Sequence, residues 1–154
     1  MTRVAPLDAG TVLPVMNLEV AEAQRGLVAP NAVTLAQSIY EPASEVLGLF
    51  DGEKPVGLMA FIDTAHPEAE LDEGDPTDAL YLWRLMVAEG VQGKGHGRAA
   101  LDHLETLARA RERRQLLTSA VPADGTAIPF YERLGFTRTG RMPDNEVELA
   151  KVIG

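Results

Sequence analysis

The chain has 154 residues, the size of one ordinary domain, and we take residues 1–154 as a single domain. With 45% hydrophobic and 24% charged residues, it is neither an intrinsically disordered chain nor a low-complexity fibre. The 23 acidic and 14 basic side chains give a net charge of −9. This charge disfavours general binding to nucleic acids or anionic membranes and suits a cationic partner, although net acidity also simply aids solubility.

The residue types exclude several kinds of chemistry. Without cysteine there is no disulfide, no thiolate metal site and no cysteine nucleophile. His66, His96 and His103 lack the paired spacing of zinc motifs, so we expect no metal. No stretch approaches the roughly 20 apolar residues of a membrane span, and no apolar run of signal-peptide length opens the sequence. We therefore expect a cytoplasmic protein.

The first forty residues are predicted to be mainly helical. Asp8 is a candidate N-cap for a first helix, and Asn31, after the turn at residues 29–31, for a second. The apolar residues assigned to the two helices are Val12, Leu13, Met16 and Val20, then Val33, Leu35, Ile39 and Tyr40.

The middle of the sequence predicts strands. Two apolar runs within residues 45–62, joined by Asp51-Gly52, indicate an antiparallel hairpin. The run at residues 79–87 is apolar on both alternating faces except at Arg84, which is typical of a central strand covered on both sides. Between them, residues 66–78 indicate a solvated acidic loop with the six carboxylates Glu68, Glu70, Asp72, Glu73, Asp75 and Asp78.

The remaining sequence alternates helices and strands. An amphipathic pattern from Ala100 to Ala108 predicts a long helix, with Glu105 and Arg109 as an i,i+4 ion pair. We then expect a strand at residues 115–121, a short helix at 126–134 that Gly135 ends, and closing strands at 136–139 and 147–153. This order of elements predicts an α/β protein with a mixed sheet.

A glycine-rich segment, residues 92–98 (QGKGHGR), lies between the predicted central strand and the long helix. Glycines let successive backbone N–H groups approach a cluster of oxygens, and the helix N-terminus adds a partial positive charge. Lys94 and Arg98 add full charges. The segment therefore predicts an anion site, most simply for a pyrophosphate.

Two further phosphate-binding motifs and a purely structural turn fit these residues less well. The spacing GxxxxGK[ST] of a Walker P-loop is absent. Residues 95–100 satisfy GxGxx[GA] of dinucleotide folds, but the acidic residue expected about 20 positions later is missing from residues 115–121. A tight turn alone explains one or two glycines but not three alternating ones flanked by Lys94 and Arg98.

The spacing [Q/R]-x-x-G-x-[G/A], met by residues 92–97, resembles the signature of the GCN5-related N-acetyltransferases (GNAT family), whose turn holds the CoA pyrophosphate. Residues 130–136 (FYERLGF) resemble the segment around the family's last helix. The resemblance implies the acyl-CoA N-acyltransferase fold, with helices on both faces of a mostly antiparallel sheet and a central splayed strand. It also implies acetyl-CoA as co-substrate and Tyr131 as the acid that protonates the departing thiolate. Packing of Tyr131 in the core is the alternative.

The same resemblance assigns residues to the cofactor. The central strand is expected to splay near Leu85, Met86 and Val87, so that its backbone amides bind pantetheine and polarise the thioester oxygen. Asp124 stands where an asparagine often contacts CoA, which puts that contact in question. The assigned residues are Leu85, Met86, Val87, Gln92, Gly93, Lys94, Gly95, His96, Gly97, Arg98 and Asp124.

Further segments, residues 18–24 (LEVAEAQ), 28–31 (VAPN) and 82–86 (LWRLM), resemble bacterial spermine/spermidine acetyltransferases of this family. Residues 89–91 (EGV) depart from the acidic pair and aromatic residue usual there. The resemblance implies a small cationic amine as acceptor, spermidine or spermine, attacked directly in a ternary complex, and it implies a homodimer. The alternatives are another amine, such as a protein N-terminus, lysine or an aminoglycoside, and a non-catalytic acyl-CoA-binding module.

The acceptor site is the least defined part. An alkyl ammonium has a pKa of about 10.4, so a base or a chain of waters must remove a proton before attack. Glu19, Glu22 and Glu41 are candidates, although each is more simply explained as a solvated helix charge, and Glu22 is our preferred cation anchor. Trp83 either forms a wall of the acceptor tunnel or packs in the core. Arg84 must be paired or reach solvent, and we expect it to orient a carboxylate.

Overall fold

The structure, a computed structural model, describes residues 1–154 and has one seven-stranded sheet at its centre. The strands are β1 (Thr2–Pro6), β2 (Ser44–Asp51), β3 (Lys54–Asp63), β4 (Ala79–Val87), β5 (Gln115–Ala120), β6 (Thr137–Arg138) and β7 (Val147–Val152). The α-helices are α1 (Val12–Met16), α2 (Asn31–Ser38), α3 (His96–Ala110) and α4 (Ile128–Arg133), with 3₁₀ turns at Glu22–Gln24 and Pro143–Asn145. The sheet order is β1-β2-β3-β4-β5-β7-β6, and only β4 and β5 are parallel.

Both faces of the sheet are covered. Because successive strand residues point to opposite faces, Leu49 belongs to one core and Phe50 to the other. The larger core packs α3 and α4 on one face; the smaller one places Val15 of α1 with Phe50, Leu58 and Met86 on the other. The expected mixed α/β sheet with helices on both faces is confirmed. None of the protein's helices has both the length and the apolar character needed to span a membrane.

Strands β4 and β5 diverge in the middle of the sheet. They pair only from Ala79 and Gln115 to Leu82 and Thr118. Against β3, strand β4 carries one extra residue at Trp83, because Phe61 opposes Leu82 and the preceding residue opposes Arg84. Such a bulge bends its strand and increases the local twist, whereas β5 continues along β7. The expected splay of the central strand is confirmed, and it begins at Trp83.

The N-terminal region corrects the prediction of a mainly helical segment. Residues 2–6 form strand β1, which pairs with β2, so tertiary pairing and not local pattern decides their structure. Helix α1 has five residues, and its buried residue is Val15. Asp8 is not its N-cap, a position that Thr11 occupies; the Asp8 carboxylate instead accepts the N–H groups of Gly10 and Thr11 at 2.9 and 3.0 Å in the preceding turn.

Helix α2 also differs from its prediction. Its N-cap is Pro30, and the side chain of Asn31 is buried, donating to the Val15 carbonyl at 2.8 Å. The helix ends at Ser38, so Ile39 and Tyr40 lie beyond it and are exposed. Val33, also assigned to the apolar side, is 41% exposed.

The other predicted elements are confirmed with small shifts at their ends. The hairpin closes where Asp51 pairs with Lys54, and residues 64–78 form a loop without helix or strand. Glu105 and Arg109 form the expected i,i+4 ion pair at 2.9 Å on α3. Strand β6 is shorter than predicted, with two residues.

Candidate active site

A cleft of about 1360 Å³ opens where β4 and β5 part. Residues 82–87 of β4 and 118–121 line its middle. The N-terminal end of α3 and the residues of α4 line one side, and the segment around residues 16–32 lines the other. The cleft therefore joins the glycine-rich turn to the splay of the sheet.

The glycine-rich turn presents a continuous run of backbone donors. None of the N–H groups of residues 92–98 donates a hydrogen bond within the chain, and α3 starts at Gly95 without a side-chain cap. Gly93 and Gly95 have φ of +77° and +88°, values that side chains rarely adopt, and a Cβ at either would meet nothing within 4 Å. Both glycines are thus required by the backbone, and the space in front of the amides is open. This arrangement suits an anion with several oxygens.

The third glycine of the turn, Gly97, has a packing role. A Cβ on Gly97 would lie 3.1 Å from the ring of Phe130. Gly97 therefore lets the first turn of α3 pack on α4.

Gln92 and His96 use their side chains inside the protein. The Gln92 amide donates to the Val87 carbonyl at 2.9 Å and to Gln24 Oε1 at 2.7 Å, so it fixes the turn to the end of β4. His96 is 5% exposed, and its Nδ1 lies 2.8 Å from the Thr2 hydroxyl on β1. Both residues line the cleft, but the turn offers an anion their backbone groups.

Three cations lie near the turn without an ion pair: Lys94, Arg98 and Arg133. Arg98 and Arg133 line the cleft, whereas Lys94 is exposed outside its wall. Arg133 was not among the residues predicted from the sequence; its position two residues after Tyr131, on the same short helix, was the available signal. Asp124, assigned to the cofactor, is exposed and does not line the cleft.

Leu85, Met86 and Val87 line the cleft on the part of β4 that pairs with β3 but not with β5. The Met86 side chain is buried in the smaller core, with the amide nitrogen of Asn31 3.5 Å from its sulfur. In an antiparallel pair, alternate backbone groups point away from the partner strand, so those that β3 does not use face the gap left by β5. These residues therefore offer mainly backbone donors and acceptors.

Tyr131 lies in the cleft wall and is 5% exposed. Its ring packs against Phe130 and Phe136 at centroid distances of 5.3 and 5.5 Å. Burial raises the pKa of the Tyr131 hydroxyl to about 12. The phenol is therefore neutral, and able to donate, at every physiological pH.

The carboxylates expected at the acceptor site are distributed differently. Glu19 lines the cleft, but its side chain is 75% exposed and lies 3.5 Å from Arg25. Glu22 and Glu41 do not line the cleft. The preferred anchor, Glu22, is exposed on the 3₁₀ turn.

Trp83 and Arg84 both line the cleft, and neither is fully buried. The Arg84 guanidinium lies 4.7 Å from the centroid of the Trp83 ring and donates to Gln37 Oε1 at 3.3 Å. Arg84 thus contacts an aromatic ring and an amide, not the carboxylate that we expected it to orient. Trp83 is at the bulge of β4 and forms part of the cleft wall.

A chain of three polar side chains at the cleft was not predicted. The Tyr81 hydroxyl lies 2.7 Å from Ser119 Oγ, which donates to Glu146 Oε1 at 3.2 Å. Ser119 and Glu146 line the cleft. These residues are far apart in sequence and belong to no recognisable motif, so only the fold brings them together.

Comparison with known proteins agrees with this geometry. The family model described as the acetyltransferase (GNAT) family matches residues 14–136. Among solved structures, the GNAT domain of PAT from S. lividans is similar at 19% identity and a TM-score of 0.74, covering 99% of this chain and 89% of that one. PaiA N-acetyltransferase from Thermoplasma acidophilum in complex with coenzyme A is similar at 12% identity, a TM-score of 0.70 and 99% coverage of both chains.

A third solved structure, the ribosomal-protein-S18-alanine N-acetyltransferase from Escherichia coli, is similar at 21% identity and a TM-score of 0.70, covering 100% of this chain and 95% of that one. At these identities the solved structures establish only the fold, whereas the match of the family model over residues 14–136 establishes the family. The chain belongs to the GNAT family of acetyltransferases, enzymes that use acetyl-CoA as co-substrate.

Proposed function

We propose that the protein transfers the acetyl group of acetyl-CoA to a cationic primary amine, with a small polyamine such as spermidine or spermine as the first candidate acceptor. The observation that carries the proposal is the run of unpartnered N–H groups at residues 92–98, which opens onto the same cleft as Tyr131. One cleft thus combines a diphosphate cradle with a buried proton donor beside a gap in the sheet.

On the donor side, the backbone amides of the turn would hold the diphosphate. Arg98 and Arg133, which line the cleft without ion pairs, supply charge for further phosphate oxygens. The backbone groups of Leu85 and Val87 that face the gap suit the amides of pantetheine and the thioester oxygen. A hydrogen bond to that oxygen stabilises the charge that develops on it during acyl transfer.

The transfer needs three proton movements: from the ammonium to water, from Tyr131 to the sulfur, and from the nitrogen back to Tyr131. The amine nitrogen attacks the thioester carbon once its ammonium proton has passed to water, so that the C–N bond forms and the C–S bond breaks. Tyr131 gives its proton to the sulfur and regains one from the nitrogen as the amide forms. Because its pKa of about 12 exceeds that of a thiol, about 8.5, the phenol donates a hydrogen bond throughout and transfers the proton only as the nitrogen returns one.

The charge of the protein supports a cationic acceptor. The net charge is −9, and the loop at residues 64–78 carries six carboxylates, of which Asp75 and Asp78 have side-chain partners and the other four have none. Such a surface attracts polyamines and raises their rate of encounter with the cleft. A protein N-terminus is the second candidate acceptor, since one similar structure is the ribosomal-protein-S18-alanine N-acetyltransferase.

The test is an acceptor panel. The wild-type protein and Tyr131→Phe are incubated with acetyl-CoA and spermidine, spermine, lysine, an aminoglycoside or a peptide with a free N-terminal alanine, and free thiol is followed. We expect the highest kcat/KM with a polyamine and a loss of roughly a hundredfold in the variant. A preference for the peptide would select the second candidate. CoA binding without transfer to any amine would replace both with a binding module.

A further inference from the structure

Only two carboxylates, Glu19 and Glu146, line the cleft. Glu19 is largely exposed and already lies 3.5 Å from Arg25. Glu146 has no ion pair; Oε1 accepts the Ser119 hydroxyl at 3.2 Å, and Oε2 has no partner in the protein. Glu146 therefore brings a full negative charge and a free oxygen to the cleft.

The hydrogen bonds around Glu146 have a definite direction. Burial raises the pKa of the Tyr81 hydroxyl, so this group stays protonated. Since Ser119 Oγ donates to Glu146, it accepts from Tyr81 at 2.7 Å. The Tyr81 hydroxyl thus donates to Ser119, and the Ser119 hydroxyl donates to the carboxylate, which fixes the position of the carboxylate.

Glu146 also lies on the appropriate side of the sheet. Thr118 is the last residue of β5 that pairs with β4, and it shares its face of the sheet with Leu116 and Ala120, which lie in the same core as Tyr131. Ser119 follows it directly and points to the opposite face. The gap between β4 and β5 therefore separates Tyr131 from the Ser119–Glu146 pair, so a thioester in the gap would have the acid on one side and the carboxylate on the other.

The neighbouring cations are already engaged. Arg141 lies 2.6 Å from Asp75 and 3.6 Å from Glu148, and Arg84 donates to Gln37 at 3.3 Å. Neither forms an ion pair with Glu146, so the carboxylate is available to pair with a cationic ligand.

We infer that Glu146 binds the ammonium group of the acceptor, with Ser119 as a positioning residue, and thereby selects cationic alkyl amines over uncharged ones. The inference rests on the proposed acetyl transfer and assigns its acceptor side. The bound ammonium would lose its proton to water at the cleft mouth before attack.

The direct test measures binding without turnover. Spermidine is titrated by calorimetry into the protein saturated with CoA, comparing wild type, Glu146→Gln and the control Glu53→Gln, an equivalent change at an exposed site of the β2–β3 hairpin. Losing a charge-assisted hydrogen bond should weaken spermidine binding roughly ten- to a hundredfold in Glu146→Gln. The control should bind spermidine like wild type, and CoA affinity should be equal in all three.

A second measurement separates charge recognition from mere structure. The ratio of kcat/KM for spermidine to that for an arylamine, uncharged at neutral pH, should fall at least tenfold in Glu146→Gln, because only the cation needs the carboxylate. Ser119→Ala should raise KM for spermidine with little change in kcat, and Ser119→Thr, which keeps the hydroxyl, should restore it.

The possible outcomes distinguish failure of the Glu146 assignment from failure of the proposed acetyl transfer. If Glu146→Gln binds spermidine as tightly as wild type, or loses both amines equally, the inference is wrong while acetyl transfer stands. If wild type binds CoA but no spermidine, the assignment of a cationic acceptor to Glu146 is also wrong. If wild type does not bind CoA, the proposed function itself fails, and the inference fails with it.

Discussion

The donor end and the acceptor end of the cleft are built from different parts of the chain. The donor end uses consecutive backbone groups of one short segment, residues 92–98, at the start of α3. The proposed acceptor end uses three side chains that are far apart in sequence: Tyr81 of β4, Ser119 of β5 and Glu146, just before β7. Backbone amides can hold a diphosphate whatever most side chains are, whereas separate side chains can change without disturbing the fold. The same fold can therefore keep acetyl-CoA as its donor while the side chains that bind the acceptor change.

The largest effect should come from breaking the donor end at Gly95. Gly95→Val forces a β-branched residue to φ of +88° and fills the open space in front of the amides. Left-handed backbone costs about 1–2 kcal/mol, and each charge-assisted hydrogen bond lost costs about 1.5–3 kcal/mol. We expect the Kd for CoA, measured by calorimetry, to rise by about a hundredfold or more.

Gly52→Val is the matched control for backbone strain. Gly52 also has positive φ, +61°, and open surroundings, but it lies in the β2–β3 hairpin. This variant should lose thermal stability without losing CoA affinity. Equal losses of affinity in both variants would show that strain, and not the cradle, explains the result at Gly95.

Tyr131→Phe should separate binding from chemistry at the junction of the two ends. Removing a general acid costs about a hundredfold or more in kcat, while the Kd for CoA and the melting temperature should change little, because the ring still packs on Phe130 and Phe136. Steady-state kinetics and calorimetry measure both.

The pH profile adds a check on the same residue. Because the pKa of Tyr131 is about 12, its proton is lost only at pH values near 12 and not near 10. The rate with spermidine should therefore rise from pH 6 to 9.5 as the amine deprotonates, with no descending limb. A fall in rate above pH 8 would show that the donor has a lower pKa and is not this phenol.

The contrast between the two ends also explains what the sequence could predict. The proposed donor end is local, so glycine spacing and the strand–turn–helix context predict it. Tyr131 can be proposed as the acid from the sequence because it lies within a contiguous segment, residues 130–136. The acceptor carboxylate was sought at Glu19, Glu22 and Glu41, but Glu146 becomes a candidate only after β5 and β7 are known to be neighbours.

The fold shows the same limit of local information. Strands and helices with strong periodicity, such as β4 and α3, have the predicted positions. Strand β1 was missed, because its five residues owe their structure to β2. Ile39 and Tyr40 continue an apolar pattern past the end of α2, yet they are 76% and 86% exposed, so a periodic pattern alone does not define the buried face.

A smaller effect at the donor end should come from Arg133. Arg133→Gln removes one unpaired cation from the cleft wall, and a partly exposed charge contributes about 1 kcal/mol, so the Kd for CoA should rise about three- to tenfold. The effect should shrink at high salt because exposed charges are screened. Arg138→Gln is the control, since Arg138 is 57% exposed, lies 3.5 Å from Glu132 and is outside the cleft wall; an equal change in both would argue against a phosphate contact.

The smallest effect should come from the acidic loop at the acceptor end. Arg141 ties this loop to the sheet through Asp75 and Glu148, and Glu148 pairs with Ser119 in the β5–β7 register. These contacts hold the part of the loop at Asp75 beside the region of the sheet that carries Ser119. A double Glu68→Gln and Glu70→Gln variant should lower kcat/KM for spermidine about two- to threefold at low salt and leave CoA affinity unchanged.

The control for the loop variant removes the same net charge elsewhere, by Glu53→Gln and Glu112→Gln, both at exposed positions outside the cleft wall. If the loop attracts the acceptor by its position, only the loop variant should lose rate, and roughly 0.5 M salt should abolish the difference because it shortens the range of charge interactions to a few ångströms. Equal losses in both variants would assign the attraction to net charge alone. The acceptor end would then recognise its substrate only through side chains in the cleft, and the loop would serve solubility.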